Sequence, residues 1–304
     1  MLLDTMLKLT LALCTLLAGC MIHGTPTDKS VESTFPTASP PPVHDPLHVV
    51  TFNTHMITGD KIAKAILADK SLRDADLITL EEVHREGPGC SGACEVAREL
   101  GMYAVYAPGH VNGKGTDGVA ILSRVPIADS DVIELPEFDV HINSGRRIAL
   151  RASVVLDGEP VHVYAVHLEN RLNVKDRRTQ MQTVLDRAKA ESGRVIIAGD
   201  FNTSPFTWVF HLIPIPTTTQ DDRLEELVRA NGFQTPVANS GATSRFIAMK
   251  LDAIYTRGFD TVSFATAAAQ NASDHLALWA KMRPAHVTPR LPMSAAFAAP
   301  VAIR

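Results

Sequence analysis

Eight side chains of chemically active type stand at or beside the ends of apolar runs in this chain: Asn53, Glu82, His167, Asp200, Asn202, Asp252, Asp274 and His275. The plainest case is Val195 to Ala198, a β-branched run between Gly193 and Gly199 followed by Asp200-Phe201-Asn202. A run of that length and branching reads as a buried strand. Residues two apart in an extended chain share a side, so Asp200 and Asn202 face one cleft while Phe201 packs the other way. Carboxylate and amide oxygens are hard donors that suit Mg²⁺ or Mn²⁺. A carboxylate can also take a proton from water, and an imidazole fixed by an acid can stabilise developing negative charge. Taken singly, each residue has a plainer explanation, since strand ends are where polar residues surface and an Asp or His there is commonly a turn or a cap. Their joint occurrence calls for elements that bring them to one place.

Periodicity supplies those elements. His48 to Asn53 reads as a strand, Ile62, Ala65 and Ile66 as a helix face, and Asp76 to Leu80 as a strand leading into Glu81-Glu82-Val83. Val96, Ala97 and Leu100 predict a helix stopped by Gly101. Tyr103 to Ala107 and Val119 to Ser123 are strands separated by a loop over 109–116, whose glycine spacing is wrong for a nucleotide-binding loop. Ile148 to Leu156 and Pro160 to Leu168 form a hairpin around Asp157-Gly158. Val174, Met181, Val184, Leu185 and Ala188 mark one helix, and Leu224, Leu227 and Val228 another. Leu251 to Tyr255 and His275 to Met282 are the last strands. Hairpins mixed with helical connections predict an α/β (α+β) fold with two sheets face to face and helices outside, over one domain from 48 to 282 without internal repeats. His162 and His167, five apart on a strand, face opposite sides and cannot form one zinc-binding face. Alternation likewise puts Arg147 and Arg151 on one side and Arg146 on the other.

Outside that domain the composition changes. Lys8 and the apolar run Leu9 to Ala18 have the length of a signal-peptide core, too short to span a bilayer. The run ends in Leu17-Ala18-Gly19-Cys20, which resembles the lipobox of bacterial lipoproteins. It implies a signal peptide over 1–19, lipidation of Cys20 and a lipid-anchored protein outside the cytoplasm, periplasmic or at the cell surface. Residues 20–47, rich in Thr, Ser and Pro, are expected to be a solvated tether. The Pro/Ala-rich tail 283–304 is expected to be poorly ordered or docked as a strip around Phe297. Cys90 and Cys94 suit a small disulfide loop in an exported protein, with a zinc half-site as the alternative. A net charge of −4 attracts no polyanion globally, so any nucleic-acid contact must be local.

The motifs Thr51-Phe52-Asn53-Thr54-His55, Leu80-Glu81-Glu82-Val83, Gly118 to Arg124, Val166-His167-Leu168, Gly199 to Asn202, Leu251 to Ile254 and Ser273-Asp274-His275 stand in one order along the chain. In that order they resemble the endonuclease/exonuclease/phosphatase superfamily, with Glu81 where the family usually has Gln and Ala277 where it often has Pro. The resemblance implies a deoxyribonuclease I-like four-layer αββα sandwich, two mixed β-sheets flanked by helices, with the site at one edge. It implies Asn53 and Glu82 on the metal side with Asp274 nearby, and Mg²⁺ or Mn²⁺ as cofactor. Asp200 and Asn202 take the attacking water, and His167 and an Asp252-paired His275 take the phosphoryl oxygens. Arg147 is the arginine that supports the substrate site, and Asp117 an acidic partner for His167.

The activity expected is phosphoester hydrolysis by activated water, in a monomer. A nuclease, a phospholipid hydrolase and a small-phosphoester hydrolase all fit. The acidic balance and 6% aromatic content give little sign of a stacking or basic track. The anchor favours a lipid or small substrate, yet no membrane-inserting hairpin stands out. Arg171, Lys175, Arg177 and Arg178 either meet phosphate or form a solvated helix face. A non-catalytic binding protein on the same fold is the alternative from another class.

Overall fold

The computed structural model describes residues 24–140 and 145–285. The first half runs β1 (Glu32–Thr34), β2 (Leu47–Asn53), α1 (Gly59–Ala68), β3 (Leu77–Glu86), α2 (Gly92–Leu100), β4 (Tyr103–Asn112), β5 (Gly115–Ser123) and β6 (Ile127–Glu134). The second runs β7 (Ile148–Leu156), β8 (Glu159–His167), α3 (Val174–Lys189), β9 (Arg194–Asp200), β10 (Phe206–Val209), β11 (Ile213–Pro216), α4 (Gln220–Ala230), β12 (Asp252–Arg257), β13 (Phe259–Ala267) and β14 (Ala277–Pro284).

Two mixed sheets hold most of the chain, in the orders β1-β4-β5-β3-β2-β14-β13 and β12-β9-β8-β7-β6. Each contains one parallel pair, β2 with β3 and β8 with β9, and each pair is joined through a helix. Successive side chains of a strand point to opposite faces, so strands covered on both sides read as continuous apolar runs. Val49 accordingly enters the core between the sheets, while Val50 and Phe52 pack under α1 and α2. On the far side Met181, Val184, Leu185 and Ala188 of α3 and Leu224 and Val228 of α4 cover the second sheet. The result is the four-layer sandwich expected from the motifs.

The parallel pairs place the chemistry. The strand β2 ends at Asn53, in register with Glu81 of β3, and β8 ends at His167, in register with Asp200 of β9. Asn53, His167 and Asp200 thus lie at carboxyl ends of parallel strands, and Glu81 where the parallel pairing of β3 stops, the edge where open α/β sheets bind ligands. The antiparallel neighbour β12 begins with Asp252 opposite Asp200. Gly199 permits this convergence: its φ is +149°, and a Cβ there would sit 1.9 Å from the Val166 carbonyl oxygen.

Several expectations need correcting. The presumed loop over 109–116 is strand on both sides, with β4 running to Asn112 and β5 starting at Gly115. The tether contributes an edge strand, since Glu32 to Thr34 pair with Ala104 to Tyr106, and Glu32 receives the Ser91 N–H at 3.3 Å. Cys90 and Cys94 form the expected disulfide, which rules out only the alternative zinc half-site. Arg177 is fully buried in α3 and donates to the carbonyls of Glu169 and Leu172, so it neither meets phosphate nor forms a solvated face. The signal peptide, Cys20 and tail residues 286–304 lie outside the described residues.

Candidate active site

At the rim where the two sheets meet, Asp200 is the hub. Its Oδ1 accepts the Asn202 backbone N–H at 2.8 Å, and its Oδ2 accepts from Asn53 Nδ2 at 2.9 Å, across the interface between the sheets. His167 Nε2 stands 3.7 Å and His275 Nε2 3.8 Å from that Oδ2, and His167 Nε2 is also 3.8 Å from Glu82 Oε1. These three separations are too long for direct hydrogen bonds and leave the imidazoles aimed at a shared space. Behind His275, Asp252 Oδ2 lies 2.8 Å from Nδ1, which fixes the ring and directs Nε2 inward. The Asn202 side chain donates to the Leu168 carbonyl at 2.9 Å and ties the end of β9 to that of β8.

The strand β3 breaks its register between Leu80 and Val83, and Glu82 takes a φ of 52° there. The irregularity turns two consecutive carboxylates to different uses. Glu82 points into the site, while Glu81 lies wholly buried against Thr51 Oγ1, 3.3 Å away. Thr54 Oγ1 donates to both the Glu81 and Glu82 carbonyls and holds the irregular backbone. Ser273, which carried no role in the sequence reading, donates to the Asn53 carbonyl at 2.8 Å and accepts the His275 N–H at 3.1 Å, joining the end of β2 to the approach to β14.

Burial sets the charges. It raises the Asp200 carboxyl to about 7, with nearby Asp252 adding to the rise and the His275 imidazolium opposing it. Burial alone would deprotonate His275, yet Asp252 foremost, then Asp200 and Asp274, outweigh it and hold its pKa well above the ordinary histidine value. His167 goes the other way: burial, reinforced by Arg147, His110 and His275, keeps it neutral. Glu81 is pushed well above the ordinary glutamate value by burial and by Asp252 and Asp200. Its protonated form is thereby favoured, and that form can donate a hydrogen bond as a Gln amide does.

Glu82 Oε2 is buried with no hydrogen-bond partner. A buried, unpaired carboxylate oxygen is costly unless a cation faces it, so this atom fits a divalent ion. Asp274 is close by: His55 Nδ1 sits 3.3 Å from Asp274 Oδ1 and 3.7 Å from Glu82 Oε2, spanning the two acids. His55 also had no assigned role in the sequence reading; its place in the motif beside Asn53 was the available signal. Asn53, expected as an oxygen ligand, instead presents its NH₂ to Glu82 and Asp200, while its Oδ1 accepts the His55 N–H at 3.0 Å. It positions the acids. Ligand atoms of Asp200, Asp252 and His275 also lie within 4.8 Å of one another, but the Asp252–His275 hydrogen bond makes that trio an oriented imidazole more than an open donor set.

Two substrate-side assignments divide. Arg147 Nε donates to Glu169 at 2.8 Å, and Arg147 shares a small recess with Glu82, His110 and His167, so it stands beside the site. Asp117 does not meet His167. Its Oδ1 is 2.7 Å from His84 Nδ1, and Asn112 Nδ2 donates to its Oδ2. The register of β3 against β5 puts Asp117 directly opposite His84, which is why the expected pairing fails.

The family model described as Endonuclease/Exonuclease/phosphatase family matches residues 50–275. No curated protein sequence matches the chain. Among solved structures, an endonuclease/exonuclease/phosphatase from Beutenbergia cavernae is 21% identical with a TM-score of 0.62, over 78% of this chain and 71% of that one. The 3' phosphatase NExo from Neisseria, bound to a product DNA hairpin, is 17% identical with a TM-score of 0.56, over 78% and 99%. ANGEL2, a 2',3'-cyclic phosphatase in complex with adenosine-2',3'-vanadate, is 14% identical with a TM-score of 0.56, over 85% and 99%.

Proposed function

The chain belongs to the Endonuclease/Exonuclease/phosphatase family, and we propose that it is a divalent-metal-dependent phosphoesterase that uses an activated water. The observation that carries this reading is the meeting of Glu82, Asp200, His167 and His275 around one space, with His167 3.7 Å and His275 3.8 Å from Asp200 Oδ2 and His167 3.8 Å from Glu82 Oε1.

Asp200 takes the proton of the attacking water. Its two oxygens are held by the Asn202 N–H and the Asn53 amide, so the base is fixed before substrate arrives. Asn202 keeps the ends of β8 and β9 in register. His275, protonated and backed by Asp252, faces the phosphoryl oxygens as a cation. His167 donates one hydrogen bond to the same oxygens as a neutral ring. Glu82 and Asp274 would hold Mg²⁺ or Mn²⁺. Such an ion supplies neutralisation of charge on the non-bridging oxygens.

Turnover of phosphodiesters and phosphomonoesters, inositol phosphates, sphingomyelin, DNA and RNA by the full chain, with Mg²⁺, Mn²⁺ or chelator, tests the reading beside an Asp200→Ala control. Metal-dependent hydrolysis of at least one substrate, lost in the variant, is expected. Hydrolysis unaffected by the variant would refute the assignment. The protein is proposed to act outside the cytoplasm, anchored through Cys20, which the lipobox and the Cys90–Cys94 disulfide support. Mass spectrometry of the mature N-terminus checks this: an acylated Cys20 is expected, and an unprocessed Met1 contradicts it.

A further inference from the structure

A two-stranded sheet stands apart from the two main ones. The strands β10 and β11 pair from Phe206 opposite Pro216 to Val209 opposite Ile213, and are joined by Phe210-His211-Leu212. Turns in water-exposed hairpins usually carry Gly, Asn, Asp or Ser. This one presents Phe210 at 75% exposure, Leu212 at 44%, Ile213 at 57% and Ile215 at 47%. From Phe201 to Gln220 the chain contains no Asp, Glu, Lys or Arg. Single exposed apolar residues are ordinary, but four large ones on one uncharged hairpin mark an interaction surface.

The hairpin grows out of the catalytic rim. The Ser204 N–H donates to the Asn202 carbonyl at 2.7 Å, and Thr203 Oγ1 donates to the Lys250 carbonyl at 2.8 Å. His211 Nδ1 lies 3.4 Å from the carbonyl of Arg171, on the segment that follows His167. A second apolar outcrop rises from the other half of the site. Phe246 is 76% exposed, and its neighbour Arg245 donates its backbone N–H to the Asp274 carbonyl at 2.8 Å and a guanidinium N–H to that of Ser273 at 2.9 Å. Asn202 and Asp274 are thus each flanked by exposed apolar surface.

We propose that the 206–216 hairpin, with Phe246, is a membrane-surface contact that presents the catalytic rim to phosphoester headgroups of a lipid bilayer. The substrate class is then a phospholipid; this half of the proposal rests on the phosphoesterase reading above. An uncharged tip of Phe, Leu and Ile matches the demands of the headgroup–acyl boundary, where apolar side chains insert, with the half-buried Trp208 nearer the base. A nucleic-acid track along the hairpin is disfavoured, because holding a polyanion takes Lys or Arg along its path and residues 201–220 contain none. Among the described residues no helix is long and apolar enough to cross a membrane, so the hairpin contact is peripheral.

The test uses the full chain carrying Cys20→Ser in every arm, so that no acyl anchor contributes. Vesicles of phosphatidylcholine with brominated acyl chains report depth through Trp208 fluorescence, with Trp208→Phe as the control for the other indole. Quenching of Trp208 is expected. Leu212→Asp with Ile213→Asp should lower vesicle partition about tenfold or more, and should lower the ratio of turnover on vesicle phospholipid to turnover on its short-chain soluble analogue. Unquenched Trp208 at saturating vesicles overturns the membrane contact. Quenching by a single-stranded oligonucleotide in place of vesicles overturns it in favour of nucleic acid. Quenching without turnover on either form supports the surface and refutes the catalytic reading together with the substrate class.

Discussion

The strand β8 carries two histidines with opposite fates. His162 lies in a closed network: its Nδ1 is 2.9 Å from both Arg151 Nη2 and Ser153 Oγ, and its Nε2 is 2.8 Å from the Ser192 carbonyl. Arg151 in turn donates to Glu191 at 2.7 Å, and the Tyr164 hydroxyl donates to the same oxygen at 3.1 Å. Five residues on, His167 is equally buried, but its nearest acids stand at 3.7 and 3.8 Å. A buried polar group with all partners in place holds structure together. One whose partners stand back around a common space, beside an orphaned Glu82 oxygen, is built for something that arrives later. The two ends of one strand thus separate stability from chemistry.

The sharpest way to break that contrast is at the hub. Asp200→Asn keeps the volume and removes the base, so steady-state turnover should fall by about two orders of magnitude or more, with the melting temperature little changed. Equal turnover would dissolve the distinction between the two ends. The pH dependence follows from the same site. In the proposed mechanism Asp200 acts deprotonated, and burial raises its pKa to about 7, while His275 acts protonated, and against burial Asp252 raises its pKa. A pH–rate profile should therefore climb through neutral pH and fall only on the alkaline side. An activity already flat below pH 6 would contradict these charge states.

Arg151→Met probes the other end. It removes one partner each from Glu191 and His162, whose bonds to Tyr164, Ser153 and Ser192 remain, and should cost about 1–3 kcal/mol in denaturant unfolding, while the folded protein keeps near-wild-type turnover. The smallest effect is expected at Glu81→Gln, where an amide replaces a protonated acid. Because the folded pKa of Glu81 is raised, the folded state binds a proton that the unfolded state has released, and wild-type stability falls as pH rises above the ordinary glutamate value. The Gln variant should lose that slope and retain activity. A collapse of activity would show that the acid has a role of its own.

Much of this was legible in the sequence, for identifiable reasons. A strand buried on both faces, such as β9, appears as an unbroken apolar run from Val195 to Ala198, and Asp157-Gly158 marks its hairpin because both residues take positive φ, 54° and 75°. The strand β6 escaped because its Ala-Asp-Ser-Asp stretch is exposed and shows no apolar pattern. The hairpin β10–β11 escaped because Pro214 and Pro216 interrupt its strand signal. Within the site, ordered motifs brought out Glu82, Asp200 and His275. The donor role of Asn53 and the diversion of Asp117 to His84 depend on which amide atom faces inward and on strand register, neither of which residue spacing encodes.

Calorimetric titration of Mn²⁺ into the full chain, with Glu82→Gln alongside, addresses the claim that the rim is a cation-assisted catalytic centre. Saturable binding by the wild type that weakens at least about tenfold in the variant is predicted. Failure of the wild type to bind Mn²⁺, or equal binding by both proteins, would contradict it.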